Sequence, residues 1–144
     1  MKIGFAGDHA GYLLAEPIEK LLKGRGIEFK NYGTFTGPES VDYTDFAHPL
    51  ALGVEKGEVD LGIAVCGTGN GMAIALNKHM GIRAGLAWAP EIAELVKAHN
   101  NANVLVLPQR FASEETCLKC VETWLDTQFM GGRHQRRIDK INKW

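Results

Sequence analysis

Cys66 stands where this sequence gathers its chemistry. It closes a short apolar run, residues 61–65, of the kind that makes a strand buried on both faces. Gly67, Thr68, Gly69, Asn70 and Gly71 follow, and three glycines in five residues let backbone N–H groups crowd around a ligand. Met72, Ala73, Ile74, Ala75 and Leu76 then read as the opening turns of a helix. A thiol, an N–H-rich loop and a helix start together offer an anion site beside a reactive group.

Three stronger anion motifs fail on this loop. A Walker loop needs a glycine followed by Lys and then Ser or Thr, and no such triplet occurs. The dinucleotide fingerprint needs Gly or Ala where Met72 stands, and an acidic residue near Ala87 or Trp88, where there is none. A C-x5-R cysteine phosphatase needs Arg at that same Met72. The loop therefore suits a small anion next to a cysteine, not a nucleotide.

Strands must alternate with helices to position these groups. Residues 2–6 predict a buried strand that ends in Asp8 and His9. A helix opens at Gly11 with Leu14, Ile18, Leu21 and Leu22 inward, and Pro17 predicts a bend within it. Residues 27–32 read as an edge strand and 33–44 as a loop. Asp45 is placed to cap a helix over 46–56, with Pro49 in its first turn. Residues 82–87 and 104–107 are further strands, and 91–99 a helix that ends at His99 and Asn100. Ser113 caps a helix with Val121, Trp124 and Leu125 inward, and a basic helix spans about 133–143. The pattern is that of a three-layer α/β/α, doubly wound, Rossmann-like fold with a five-stranded parallel sheet, one domain over 1–144.

Ligands in such sheets bind beyond the carboxyl ends of the strands. Asp8, His9, the Cys66 loop and Arg110 all follow strands, whereas His99 and Asn100 follow a helix and belong at the opposite edge. A second subunit would have to bring them to Cys66, so the sequence predicts oligomerisation.

With 45% hydrophobic and 23% charged residues, the chain has an ordinary globular composition. A net charge of −1 gives no reason to expect nucleic acid or a membrane surface as partner. Charge is uneven, however: residues 131–144 carry +4 and the rest −5. No apolar run reaches membrane-spanning length, and three cysteines favour a reducing cytoplasm. Cys117 and Cys120 read as packing residues, and His48 and His79 as structural or surface ones. Trp88 reads as pocket wall or core.

Assembled, the chain resembles the ribose-5-phosphate isomerase B family, which includes the galactose-6-phosphate and allose-6-phosphate isomerases. The matching residues are GDHAG (7–11), DYTDFAHP (42–49), CGTGNG (66–71), NK (77–78), GIRA (81–84), HNNANVL (99–105) and GGRHQRRIDKI (131–141). The resemblance implies a cytoplasmic aldose–ketose isomerase of the non-oxidative pentose phosphate branch. It would use no metal and no organic cofactor, and share its site between subunits of a homodimer or homotetramer. Cys66 would be the base, assisted by Thr68, and His99 would open the sugar ring. Asp8, His9, Asn100 and the 67–71 loop (Gly67, Thr68, Gly69, Asn70, Gly71) would bind the sugar. Arg110, Arg133 and Arg137 would hold the phosphate, the last two lying four apart on one helix face. His134 is expected to point elsewhere. A six-carbon sugar phosphate is the nearest alternative substrate. A cysteine hydrolase and a non-catalytic sugar-phosphate-binding protein are readings from other classes.

Overall fold

The computed structural model of the chain describes residues 1–35 and 39–144. Among them, strands β1 (Lys2–Gly7), β2 (Glu28–Asn31), β3 (Leu61–Cys66), β4 (Ala84–Leu86) and β5 (Val104–Pro108) form one sheet in the order β2-β1-β3-β5-β4. Every neighbouring pair is parallel. The helices are α1 (Ala15–Gly24), α2 (Thr44–Glu55), α3 (Asn70–Leu76), α4 (Pro90–Ala98), α5 (Glu114–Asp126) and α6 (Arg133–Asp139). The predicted loop over 33–44 includes 36–38, which lie outside the described residues.

Two-residue periodicity divides the strand side chains between two cores. Ile3, Phe5, Ile63, Val65, Leu105 and Leu107 pack with Ile18 and Leu22 of α1 and with Val121 and Trp124 of α5. Ala6, Ala64, Cys66, Val104 and Val106 pack on the other side with Leu50 of α2 and Met72 and Leu76 of α3. Apolar residues on both faces of the central strands β3 and β5 are what burial on both sides demands, whereas the edge strand β2 runs Glu28, Phe29, Lys30, Asn31. Cys117 and Cys120 are buried in the first core, as packing residues should be.

Four local readings change. The bend expected at Pro17 is absorbed by a 3-10 turn, Tyr12–Leu14, so α1 starts at Ala15. Pro17 is then the third helical residue, where a backbone N–H would have no partner anyway. Asp45 lies within the first turn of α2 and does not cap it, and Pro49 is six residues into that helix. Strand β4 is shorter than 82–87, and α6 ends at Asp139. Trp88 is 54% exposed, so it is not core. The Ser113 cap is present as expected, with its hydroxyl accepting Thr116 N–H at 3.1 Å.

Two close contacts border the sheet. At the β4 edge, the Asn77 amide donates to Ala84 O (2.9 Å) and accepts from Ala84 N–H (2.8 Å), as a neighbouring strand would. After β1, the chain presses so tightly on β3 that a Cβ at Gly11 would lie 2.3 Å from Val65 O. Backbone on both sides leaves no room to yield. Gly11→Ala should therefore destabilise the fold by about 1–3 kcal/mol, the usual cost of overpacking, measured by denaturant unfolding. An unchanged midpoint would show that the loop has room.

Candidate active site

Strands β1 and β3 lie side by side, and the chain leaves them toward opposite edges of the sheet, so a crevice opens at their carboxyl ends. From β1 comes Asp8, buried, whose Oδ1 accepts N–H bonds from Ala10 and Gly11 at 2.9 Å each. His9 follows, with Nδ1 accepting Val41 N–H at 3.3 Å, so the neutral ring carries its proton on Nε2. From β3 comes Cys66, 5% exposed. Gly69, with φ of 81°, turns the chain into α3 in a conformation that a side chain disfavours.

Burial pushes the Cys66 thiol above its usual range, and the nearby Asp8 charge adds to that. The backbone N–H groups of Met72, Gly69 and Gly71 act the other way, without prevailing. A thiolate-stabilising loop is therefore present, but within one chain desolvation outweighs it. Thr68 is exposed, and its Oγ1 accepts Asn70 N–H at 3.2 Å, which leaves its own O–H free to donate to a further partner.

Two side chains flank the loop. Arg110 lies across Gly67, where a Cβ would sit 3.2 Å from its Cδ and Nε, and its N–H donates to Gly67 O at 3.0 Å. The Tyr43 ring covers Gly71, within 2.7–2.9 Å of a Cβ there. Sequence reasoning missed Tyr43, although it stands in the DYTDFAHP stretch.

The remaining candidates form a separate group. His99 caps the carboxyl end of α4 and stacks on His134 of α6, with ring centroids 4.3 Å apart and planes 9° from parallel. His134 is buried, and among the described residues its Nε2 has no hydrogen-bond partner. Burial, then the charges of His99, Arg133 and Arg137, hold His134 below the usual imidazole range. His134 thus points away from the exposed face of Arg133 and Arg137, and what the sequence did not show is that the α6 turn buries it on His99. Exposed Asn100 follows directly.

These two groups do not meet within one chain. The His99 turn runs into Asn103, which precedes β5, while Cys66 pairs with Pro108 at the far end of that strand. Five residues of strand put them about 17 Å apart along the sheet. The three arginines divide likewise, Arg110 beside Cys66 and the other two beside His99.

A family model described as Ribose/Galactose Isomerase matches residues 3–141. The chain belongs to that family. It is 44% identical over 140 residues to ribose-5-phosphate isomerase B of Escherichia coli, across 97% of this chain and 93% of that one. A crystal structure of a ribose 5-phosphate isomerase from Thermotoga maritima superposes with a TM-score of 0.94 at 48% identity, across 99% of this chain and 98% of that one. Another, from Mycoplasma genitalium with bound ribulose-5-phosphate, gives 0.94 at 42% identity, across 97% and 93%.

For a member of the ribose/galactose isomerase family, the loop arrangement is chemically apt. Donors aimed at one spot beside a proton-accepting sulfur can hold a developing oxyanion while a neighbouring C–H is deprotonated. Among the described residues, no three His, Cys, Asp or Glu side chains are grouped to hold a metal ion, and no helix is long and apolar enough to cross a membrane.

The thiol can be tested directly. Because the Cys66 pKa lies above the ordinary thiol value of 9.0, its thiolate fraction is small at neutral pH and grows as pH rises. In protein diluted to single chains, iodoacetamide labelling of Cys66, followed by mass spectrometry, should still be accelerating at pH 9. A plateau below pH 8 would mean that the loop N–H groups prevail after all.

Proposed function

We propose that the protein interconverts ribose 5-phosphate and ribulose 5-phosphate through an enediolate, in a site completed by a second copy of the chain. The observation that carries this reading is the Cys66 thiol at the carboxyl end of β3, where the Gly69 turn leads into the N-terminus of α3. One loop thereby supplies both the base and the donors for the charge that the base creates. Relatives that span nearly the whole chain and are named as ribose-5-phosphate isomerases support it.

Cys66 as thiolate takes the proton from C2 of the open-chain aldose. The electron pair moves through the C1–C2 bond onto the carbonyl oxygen, giving an enediolate whose oxygens face the loop N–H groups. A proton passes from O2 to O1, and return of a proton to C1 then yields the ketose. Thr68, Gly67 and Asn70 line the loop that receives the reacting carbons, and Asp8 and His9 meet the sugar hydroxyls. Ribose 5-phosphate is mostly a closed ring, so an imidazole must first move a proton between the ring oxygen and the anomeric hydroxyl. His99 of the second copy takes that role, with Asn100 beside it.

Arg133 and Arg137 arrive with His99 and join Arg110 around the phosphate. Their charge also favours the thiolate, supplying what the single chain lacks. The assembly proposed is a homodimer or a homotetramer.

Initial rates on ribose, allose and galactose phosphates test the substrate. Preference for ribose 5-phosphate is expected. A six-carbon preference would keep the mechanism and change the substrate, and no turnover would leave a binding protein.

The shared site has its own test. Cys66→Ala and His99→Asn chains should each be inactive alone. Mixed after unfolding and refolding, they should recover about a quarter of the wild-type rate, because half the random pairs carry one intact site. No recovery would place both residues in a single-chain site.

A further inference from the structure

His99 and Asn100 stand on a turn, residues 99–103, whose Asn101 and Ala102 N–H groups donate back to Lys97 O and Val96 O of α4 at 3.0 and 3.1 Å. Among the described residues, Asn101 is the single non-glycine with positive φ, at 46°, a conformation that a side chain adopts at some cost. Such a residue stays put only if its surroundings hold it. Trp124 Nε1–H donates to Ala102 O at 3.2 Å from the core side.

From the strand side the turn is held by Arg83, the residue before β4. Arg83 N–H donates to Asn103 Oδ1 at 2.8 Å, and Asn103 and Val104 N–H groups donate to Arg83 O at 3.1 and 3.4 Å. These are backbone contacts that almost any residue at 83 would keep. One contact is particular to arginine: the half-buried side chain donates Nε–H to Asn101 O at 3.1 Å. It therefore ties down the strained peptide next to Asn100. The same side chain shares with Asn100 the wall of a cleft of about 420 Å³.

We propose that Arg83 is a positioning residue for ring opening, acting through its Nε–H bond to Asn101 O to fix the turn that presents His99 and Asn100. The inference rests on the isomerase reading for its catalytic consequence, though not for the turn itself. Proton transfer at a ring oxygen tolerates little misplacement, and about 1 Å can cost on the order of a hundredfold. Deprotonation by Cys66 draws on this turn only through the sugar contact of Asn100, so at saturating substrate it is spared.

Two substitutions isolate the bond. In Arg83→Gln the amide nitrogen takes the place of Nε and keeps a donor. Arg83→Met keeps the length and removes the donor, and both remove the charge. Conversion of ribose 5-phosphate should fall about tenfold or more in Arg83→Met and stay within about threefold of wild type in Arg83→Gln. Ribulose 5-phosphate has no ring to open. Solvent deuterium incorporation at its C1, followed by NMR at saturating substrate, should therefore change by less than about twofold in either variant.

Amide hydrogen exchange at residues 101–103 should accelerate in Arg83→Met alone, and this holds whatever the substrate proves to be. Equal losses in the two variants, equal losses of conversion and deuterium incorporation, or unchanged amide exchange in Arg83→Met would each overturn the inference. A wild-type protein that turns over no sugar phosphate would instead overturn the isomerase reading, and amide exchange would still decide the role of Arg83 in the turn.

Discussion

A parallel sheet has two chemically different edges, and this fold places half of its reactive groups on each. All strands run the same way, so every strand-to-helix loop opens on one edge and every return loop on the other. Cys66, Asp8, His9 and Arg110 leave strands. His99 and Asn100 leave a helix, and α6 brings Arg133, His134 and Arg137 to them. No rearrangement of side chains can close a gap of about 17 Å that the strand length itself sets. On the proposed reading, the chemistry of this chain therefore depends on association with a second copy.

The electrostatics of Cys66 express the same division. Its sulfur is buried among apolar neighbours and near the carboxylate of Asp8, and both favour the neutral thiol. Only the loop N–H groups act the other way. Arg110 lies across Gly67 without tipping that balance, and Arg133 and Arg137 stand with His99 at the other end of the strands. On the proposed reading, Cys66 stays quiet until a second copy supplies counter-charges, because one chain alone gives the sulfur apolar surroundings and a nearby carboxylate.

Much of this was legible in the sequence, for identifiable reasons. The two-faced strands, the glycine loop after Cys66 and the Ser113 cap are local signals, and the structure has them where the residues put them. The mismatch between His99 and Cys66 was also readable, because it follows from element order alone. What escaped depends on contacts between distant segments. Nothing near Pro17 announces that a 3-10 turn will precede the helix. Helical spacing shows that His134 leaves the face of Arg133 and Arg137, but not that the buried side waits at His99. Tyr43 and Gly71 are joined only by the packing of α2 on α3. The insertion of β5 between β3 and β4 likewise has no local cause.

The amide of Asn77 has a consequence beyond the strand it borders. Strand β4 is the outermost on its side, and an open edge of this kind invites another chain to add a strand. By occupying both Ala84 N–H and Ala84 O, one side chain removes the first rung on which such a ladder would start. Growth of the sheet from molecule to molecule, which has no natural end, is discouraged at that border. Copies of this protein are left to meet through side chains, in assemblies of fixed number, and a crowded solution of it has one fewer route to fibres.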